Sequence, residues 1–123
     1  LKVSRLLAAA SMLAAMTVVD GACALTVADY EAQRDSADPE VRIAQGIYLL
    51  GLGNGFTYAN AALATGGQRP LYCAPPKLAL NEDNYRRIID EALRKAREDG
   101  RVRDEEPVEL FLLIGLSRTF PCA

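Results

Sequence analysis

The chain contains no histidine and no tryptophan among its 123 residues. Without histidine there is no Ser-His-Asp or Cys-His nucleophile, no imidazole metal ligand, and no general base of the commonest kind. Without tryptophan, sugar stacking and a membrane-interface belt lose their usual anchor. A basic excess is lacking as well. Fourteen Lys and Arg stand against sixteen Asp and Glu, for a formal net charge of -2. Nothing in that balance would neutralise a phosphate backbone, so nucleic acid is not an expected partner. Internal repeats, low-complexity tracts and strand-type alternation are absent too. What remains is 50% apolar and 24% charged, too apolar for disorder and of a length that suits one domain.

The first 24 residues have the layout of an export signal. Lys2 and Arg5 supply a positive start, and fourteen uncharged residues follow from Leu6 to Val19. Asp20-Gly21 breaks that run. Ala22 and Ala24 then place small residues at positions -3 and -1 of a cleavage site. Fourteen residues make only about 21 Å of helix, short of the roughly 30 Å of hydrocarbon a membrane anchor must cross. Cys23 invites a lipoprotein reading, but Asp20 occupies the position where a lipobox needs an aliphatic residue. The expectation is cleavage after Ala24, with residues 1–24 as signal peptide, residues 25–123 as a single domain, and no membrane anchor once the leader is gone. The expected location is the periplasm.

Discarding Cys23 leaves Cys73 and Cys122. An even pair in an oxidising compartment is expected to form a disulfide. Two cysteines without histidine cannot complete a tetrahedral metal site, and no cofactor is expected. The bridge would close a loop of about 50 residues, worth about 4 kcal/mol in the chain-entropy model.

Thr26 is a candidate cap for a short helix ending near Arg34, and Asp38-Pro39 opens a long helix running to about Thr65. Gly66-Gly67 stops it. Inside that helix Gly51, Gly55 and Ala59 recur at four-residue spacing, a ridge expected to let another helix pack closely within the core. A membrane-type dimer motif is the alternative, but Arg42, Gln45, Asn54 and Asn60 interrupt the segment. A kink near Gly53-Asn54 is also an expectation. Pro75-Pro76 fixes a turn just after Cys73.

Asn81 caps a third helix with a stripe of Tyr85, Ile88, Ile89, Ala92, Leu93 and Ala96 at helical period. Its wet face offers Asp90–Arg94 and Glu91–Lys95 as i,i+4 pairs. Gly100 ends it. A charged loop, Arg101 to Glu106, leads to Pro107 and a last helix to Ser117. Because Val108 and Leu110 to Ile114 are apolar on all sides, that helix is expected to be the buried centre of a bundle. The fold class is all-α, a small bundle of three to five helices stapled by one disulfide.

Catalytic schemes find little to work with. Gly51-Leu-Gly-Asn-Gly55 lies within a helix and matches no phosphate-loop spacing. Asp104, Glu105 and Glu106 sit among arginines as a solvated cluster. Ser36 and Ser117 have no base beyond carboxylates and Lys77. The chain is not expected to be an enzyme.

Four segments carry a family resemblance: Gly46-Ile-Tyr-Leu-Leu-Gly51, Tyr58-Ala-Asn60, Pro70-Leu-Tyr-Cys-Ala-Pro-Pro76 and Thr119-Phe-Pro-Cys122. Across about Val41 to Cys122 the chain resembles the Rap/Tai immunity family, small exported proteins that protect bacteria against peptidoglycan amidases delivered by type VI secretion. The resemblance implies a compact helical domain in the periplasm that blocks an amidase effector's active-site cleft, often as a homodimer. Many members carry a further cysteine pair early in the domain, whereas this chain has none between Leu25 and Tyr72. Only the positions Cys73 and Cys122 carry over. Candidate contacts are the exposed connections, with Gln68 and Arg69 in one and Arg101, Arg103, Asp104 and Glu105 in the other. The alternative is a periplasmic structural or accessory protein of the same fold with no toxin partner.

Overall fold

The computed structural model describes residues 24–123; the expected signal peptide apart from Ala24, Cys23 included, therefore lies outside the described residues. Four helices follow one another: α1 (Val27–Arg34), α2 (Pro39–Thr65), α3 (Glu82–Glu98) and α4 (Val108–Thr119). The all-α expectation holds, and Cys73 and Cys122 are joined by a disulfide with Cα atoms 4.9 Å apart. Among the described residues no helix is long and apolar enough to cross a membrane.

The helix ends follow local chemistry. Thr26 Oγ1 accepts from Asp29 N at 3.1 Å, and Asp38 accepts from Glu40 N at 2.9 Å with Pro39 in the first turn. Asn81 and Asn84 form a reciprocal capping box, each side chain satisfying the other's amide. At the far ends Gly67 and Gly100 take φ of 71° and 67°, the left-handed region in which a Cβ would be strained. α2 is a single helix that is not interrupted at Gly53-Asn54.

The core joins α1, α2, α3 and α4 through Val27, Tyr30, Leu49, Ile89, Leu112 and Leu116, all essentially inaccessible to water. α3 packs against both α2 and α4, and its expected stripe is the buried one: Tyr85, Ile89, Ala92 and Leu93. Two glycines make those contacts close. A Cβ on Gly53 would lie 2.1 Å from Tyr85 Cζ, and one on Gly115 would lie 2.4 Å from Ile88 Cγ2.

Three expectations are corrected. The ridge of Gly51, Gly55 and Ala59 does not face the core, and a Cβ on either glycine would meet nothing within 4 Å. The opposite ridge, Gln45-Leu49-Gly53, is the buried one. Both ridges have four-residue spacing, and the buried one is the ridge that sets Gly53 against Tyr85 of α3. Next, α4 is not wrapped on all sides, since Leu110 is 44% exposed and Leu113 and Ile114 are half-buried. Among the described residues no neighbour fully covers that flank. Last, Asp90 does not pair with Arg94. It takes Arg34 Nη1 at 2.8 Å and the Tyr30 hydroxyl at 2.9 Å, while Arg94 binds Glu91 and Glu98. The Glu91–Lys95 pair forms as expected, at 3.4 Å.

The N-terminal segment is held by a seam with the residues before α4. Leu25 O accepts from Val108 N at 2.8 Å, Val27 N donates to Glu106 O at 2.9 Å, and Thr26 bridges Pro107 in antiparallel fashion.

Candidate partner-binding surface

The chain carries no charged residue from Ile43 to Gln68, a run that covers most of α2. Only one side of it is used by the core, so apolar groups are left in water on the other. Ile43, Ile47 and Tyr58 are 62%, 67% and 77% exposed, with Gly51 and Gly55 bare between them. Isolated apolar side chains on a surface are ordinary, but a contiguous uncharged face along one helix is the composition of a protein contact. A shallow groove of about 410 Å³ adjoins its start, between Pro39, Ile43 and Ile47 on α2 and Glu82 and Arg86 on α3.

A second depression, about 510 Å³, lies between the C-terminal half of α2 and the 70–80 segment, lined by Thr57, Ala61, Tyr72, Pro75, Leu80 and Tyr85 among others. Asn60 positions its far wall. Its side chain donates to Tyr72 O and accepts from Leu71 N, both at 2.6 Å. Ser117 Oγ donates to Leu71 O at 3.1 Å, and Cys73 N donates to Phe120 O at 2.8 Å. The disulfide thus sits in a segment already tied to α2 and α4.

The two candidate loops are well separated. Gln68 and Arg69 are exposed and adjoin Pro70, whose carbonyl lies beside Cys122 past the C-terminus of α4. Arg101, Arg103, Asp104 and Glu105 precede the N-terminus of α4, which is about 18 Å long. Within the second loop the backbone carries the structural work, since Asp104 O and Glu106 O accept from Ala28 N and Val27 N. The side chains point outward, with Arg103 between Glu105 at 3.8 Å and Glu106 at 3.5 Å.

Electrostatic perturbations have structural causes. Burial, reinforced by the Asp90 carboxylate, pushes the Tyr30 hydroxyl well above its ordinary range. Burial and Glu109 push Tyr48 up to about 12. On the open face of α3, hydrogen bonding from Arg94 lowers Glu91 to about 2. Gln45, 1% exposed, is satisfied on both sides. It donates to Tyr30 O at 2.8 Å and accepts from Arg86 Nε at 3.2 Å. Among the described residues no three His, Cys, Asp or Glu side chains gather where a metal would need them.

Sequence reasoning missed the apolar face of α2 as a surface, although its signal was present in the 26-residue uncharged run. It also missed the Tyr48–Glu109–Leu25 cluster, whose members are 61 and 84 residues apart and leave no local pattern. No family model matches the chain, and comparison with curated proteins and with solved structures finds no match.

Proposed function

We propose that this chain is a non-enzymatic binding protein of the periplasm, of the immunity type, which neutralises a peptidoglycan amidase by covering its active site. The observation that carries the binding-protein reading is the exposed uncharged face of α2, with Ile43, Ile47 and Tyr58 in water. Burying such a face is favoured by about 25 cal/mol per Å² of apolar surface, and no charge in the stretch needs desolvating. The Cys73–Cys122 bridge suits an oxidising compartment. The choice of an amidase as partner rests on the resemblance of the segments around Tyr58, Cys73 and Cys122.

The loops at Gln68-Arg69 and Arg101–Glu105 lie at opposite ends of α4, so one of them at most enters a single cleft while the other stays outside. The test is co-expression in the periplasm with a candidate Cys-His amidase, paired with a binding measurement on the purified proteins. Survival of the cells and a 1:1 or 2:2 complex are expected. Persistent lysis with no complex would sink the reading. Alanine at Gln68 and Arg69, and separately at Arg101, Arg103, Asp104 and Glu105, then identifies the entering loop, because only one set weakens binding.

A further inference from the structure

The carboxylate of Glu109 has an unfinished environment. Its Oε1 accepts from the Tyr48 hydroxyl and, at 3.3 Å, from Leu25 N. Its Oε2 is buried and has no hydrogen-bond partner among the described residues. A buried carboxylate oxygen without a donor is costly, and native folds seldom leave one so. Leu25 is also the residue that becomes the first of the chain if the leader is cut after Ala24.

We propose that hydrolysis of the Ala24–Leu25 bond converts Leu25 N into a structural cation that binds both oxygens of Glu109 and completes the N-terminal seam. This rests on the export reading given above. Water adds across the amide, leaving a carboxylate on the departing Ala24 and an amine on Leu25 that takes up a proton at neutral pH. The catalyst is a leader peptidase of the export machinery, which needs small residues at -3 and -1, here Ala22 and Ala24. An amide nitrogen has one hydrogen to give and already gives it to Oε1. An ammonium has three, enough for Oε1 and Oε2 together, and its bonds to a carboxylate are charge-assisted.

Position and charge agree. Leu25 is held by its own carbonyl on Val108 N and, one residue on, by the Thr26–Pro107 bridge, which keeps the new terminus close to Glu109. Ala24 is exposed, leaving room for a chain end. The cleft around Leu25 is lined by Asp29 of α1 and Tyr48 of α2, with Glu109 contributed by α4. From the neighbouring loop Glu106 is already engaged by Arg103 at 3.5 Å. Among the described residues the site holds carboxylates and a phenol and no basic side chain lines it, surroundings that favour a cation.

Two measurements separate the cut from the contact. Full-length protein is exported to a bacterial periplasm, and its intact mass and N-terminal sequence are determined. Leu25 is expected as first residue, and any other processed terminus overturns the assigned bond. Unprocessed protein overturns the export reading itself. Independently, ¹⁵N-labelled oxidised protein beginning at Leu25, released from a cleavable fusion, is titrated by NMR. Its α-ammonium is expected to titrate above about 9, against about 8 for an ordinary chain end. The same group in Glu109→Gln, or in a chain one residue longer that begins at Ala24, is expected near the ordinary value. An ordinary value in the folded Leu25 chain overturns the contact, whatever the variants do.

Discussion

Gly51 and Gly53 stand two residues apart on α2 and meet opposite surroundings. A Cβ at Gly51 points into open space, whereas one at Gly53 would overlap the ring of Tyr85, itself 3% exposed. Gly51→Ala is therefore expected to stabilise the fold by about 0.5–1 kcal/mol through helix propensity. Gly53→Ala is expected to destabilise it by about 1–3 kcal/mol through overpacking. Urea midpoints of the two variants check both signs, and equal shifts would contradict the assignment of faces. The tyrosines give a second residue-scale expectation. A phenol whose folded-state pKa lies above its unfolded value near 10 favours folding below that pH, and the contribution disappears as pH rises through the folded value. For Tyr48 the window is pH 10 to about 12, and Tyr30 is shifted in the same direction. Phenolate absorbance at 295 nm is expected to lag at pH 11 and to complete only as the helical CD signal is lost. Tyr48→Phe should remove part of that lag. Full ionisation by pH 11 in the intact fold would show that these hydroxyls are wetter than their contacts indicate.

At the scale of the element, α3 was legible and α2 was only half so. α3 has one apolar stripe and one charged face, so its period fixes both its existence and its orientation. The extent of α2 was equally plain from Asp38-Pro39 at one end and Gly66-Gly67 at the other. Its orientation was not, because an uncharged helix with apolar residues all round offers several equivalent ridges. Periodicity cannot choose between Gln45-Leu49-Gly53 and Gly51-Gly55-Ala59; the choice is made by what α3 presents, Tyr85 over Gly53 and Arg86 beside Gly46. Asp90 illustrates the same limit for charge. Local spacing assigns it to Arg94, yet Tyr30 and Arg34 from α1 reach it first, which only the tertiary fold decides. The outward face of α2 then yields a prediction. Ile47→Asp and Tyr58→Ala change exposed side chains and are expected to move stability by no more than about 0.5 kcal/mol. Binding of the partner is expected to weaken at least tenfold if either residue lies at the centre of the contact, as a truncation cost of about 1.4 kcal/mol or more. Sedimentation of the isolated protein alongside the partner titration distinguishes a foreign partner from a second copy of the chain. Wild-type affinity and wild-type sedimentation in both variants would remove α2 from the interface.

For the molecule as a whole, two ties set the topology, and they differ in how far sequence could anticipate them. The disulfide follows from the pair of cysteines left by the expected cleavage and from the oxidising compartment expected with it, with no knowledge of the fold. The seam between Leu25–Val27 and Glu106–Val108 has no such signal, because backbone amides and carbonyls are the same at every position. Together they pin both ends of the described residues to the bundle: Leu25–Val27 lie against the entry to α4, and the tail past α4 lies against the segment after α2. The loop closed by Cys73 and Cys122 contains α3 and α4 but neither α1 nor α2. Reduction should therefore loosen the tail and the 70–80 segment before it affects the seam. Chain entropy puts the loss near 4 kcal/mol for a loop of this length. Noncovalent ties restrain the same junction in the native state, namely Cys73 N on Phe120 O, Ser117 on Leu71 O, and Asn60 on Leu71 and Tyr72. They keep the reduced protein folded but leave the entropy of its unfolded chain unrestrained, so most of the loss should still be felt. Urea unfolding with and without reductant, or of the Cys73→Ser, Cys122→Ser double variant, is expected to show a decrease of about 2–4 kcal/mol. Amide exchange should accelerate at Leu71–Cys73 and Phe120 more than at Val27 and Val108. A decrease below 1 kcal/mol would mean that the noncovalent ties already restrict the unfolded chain, and uniform acceleration of exchange would mean that seam and staple open as one unit.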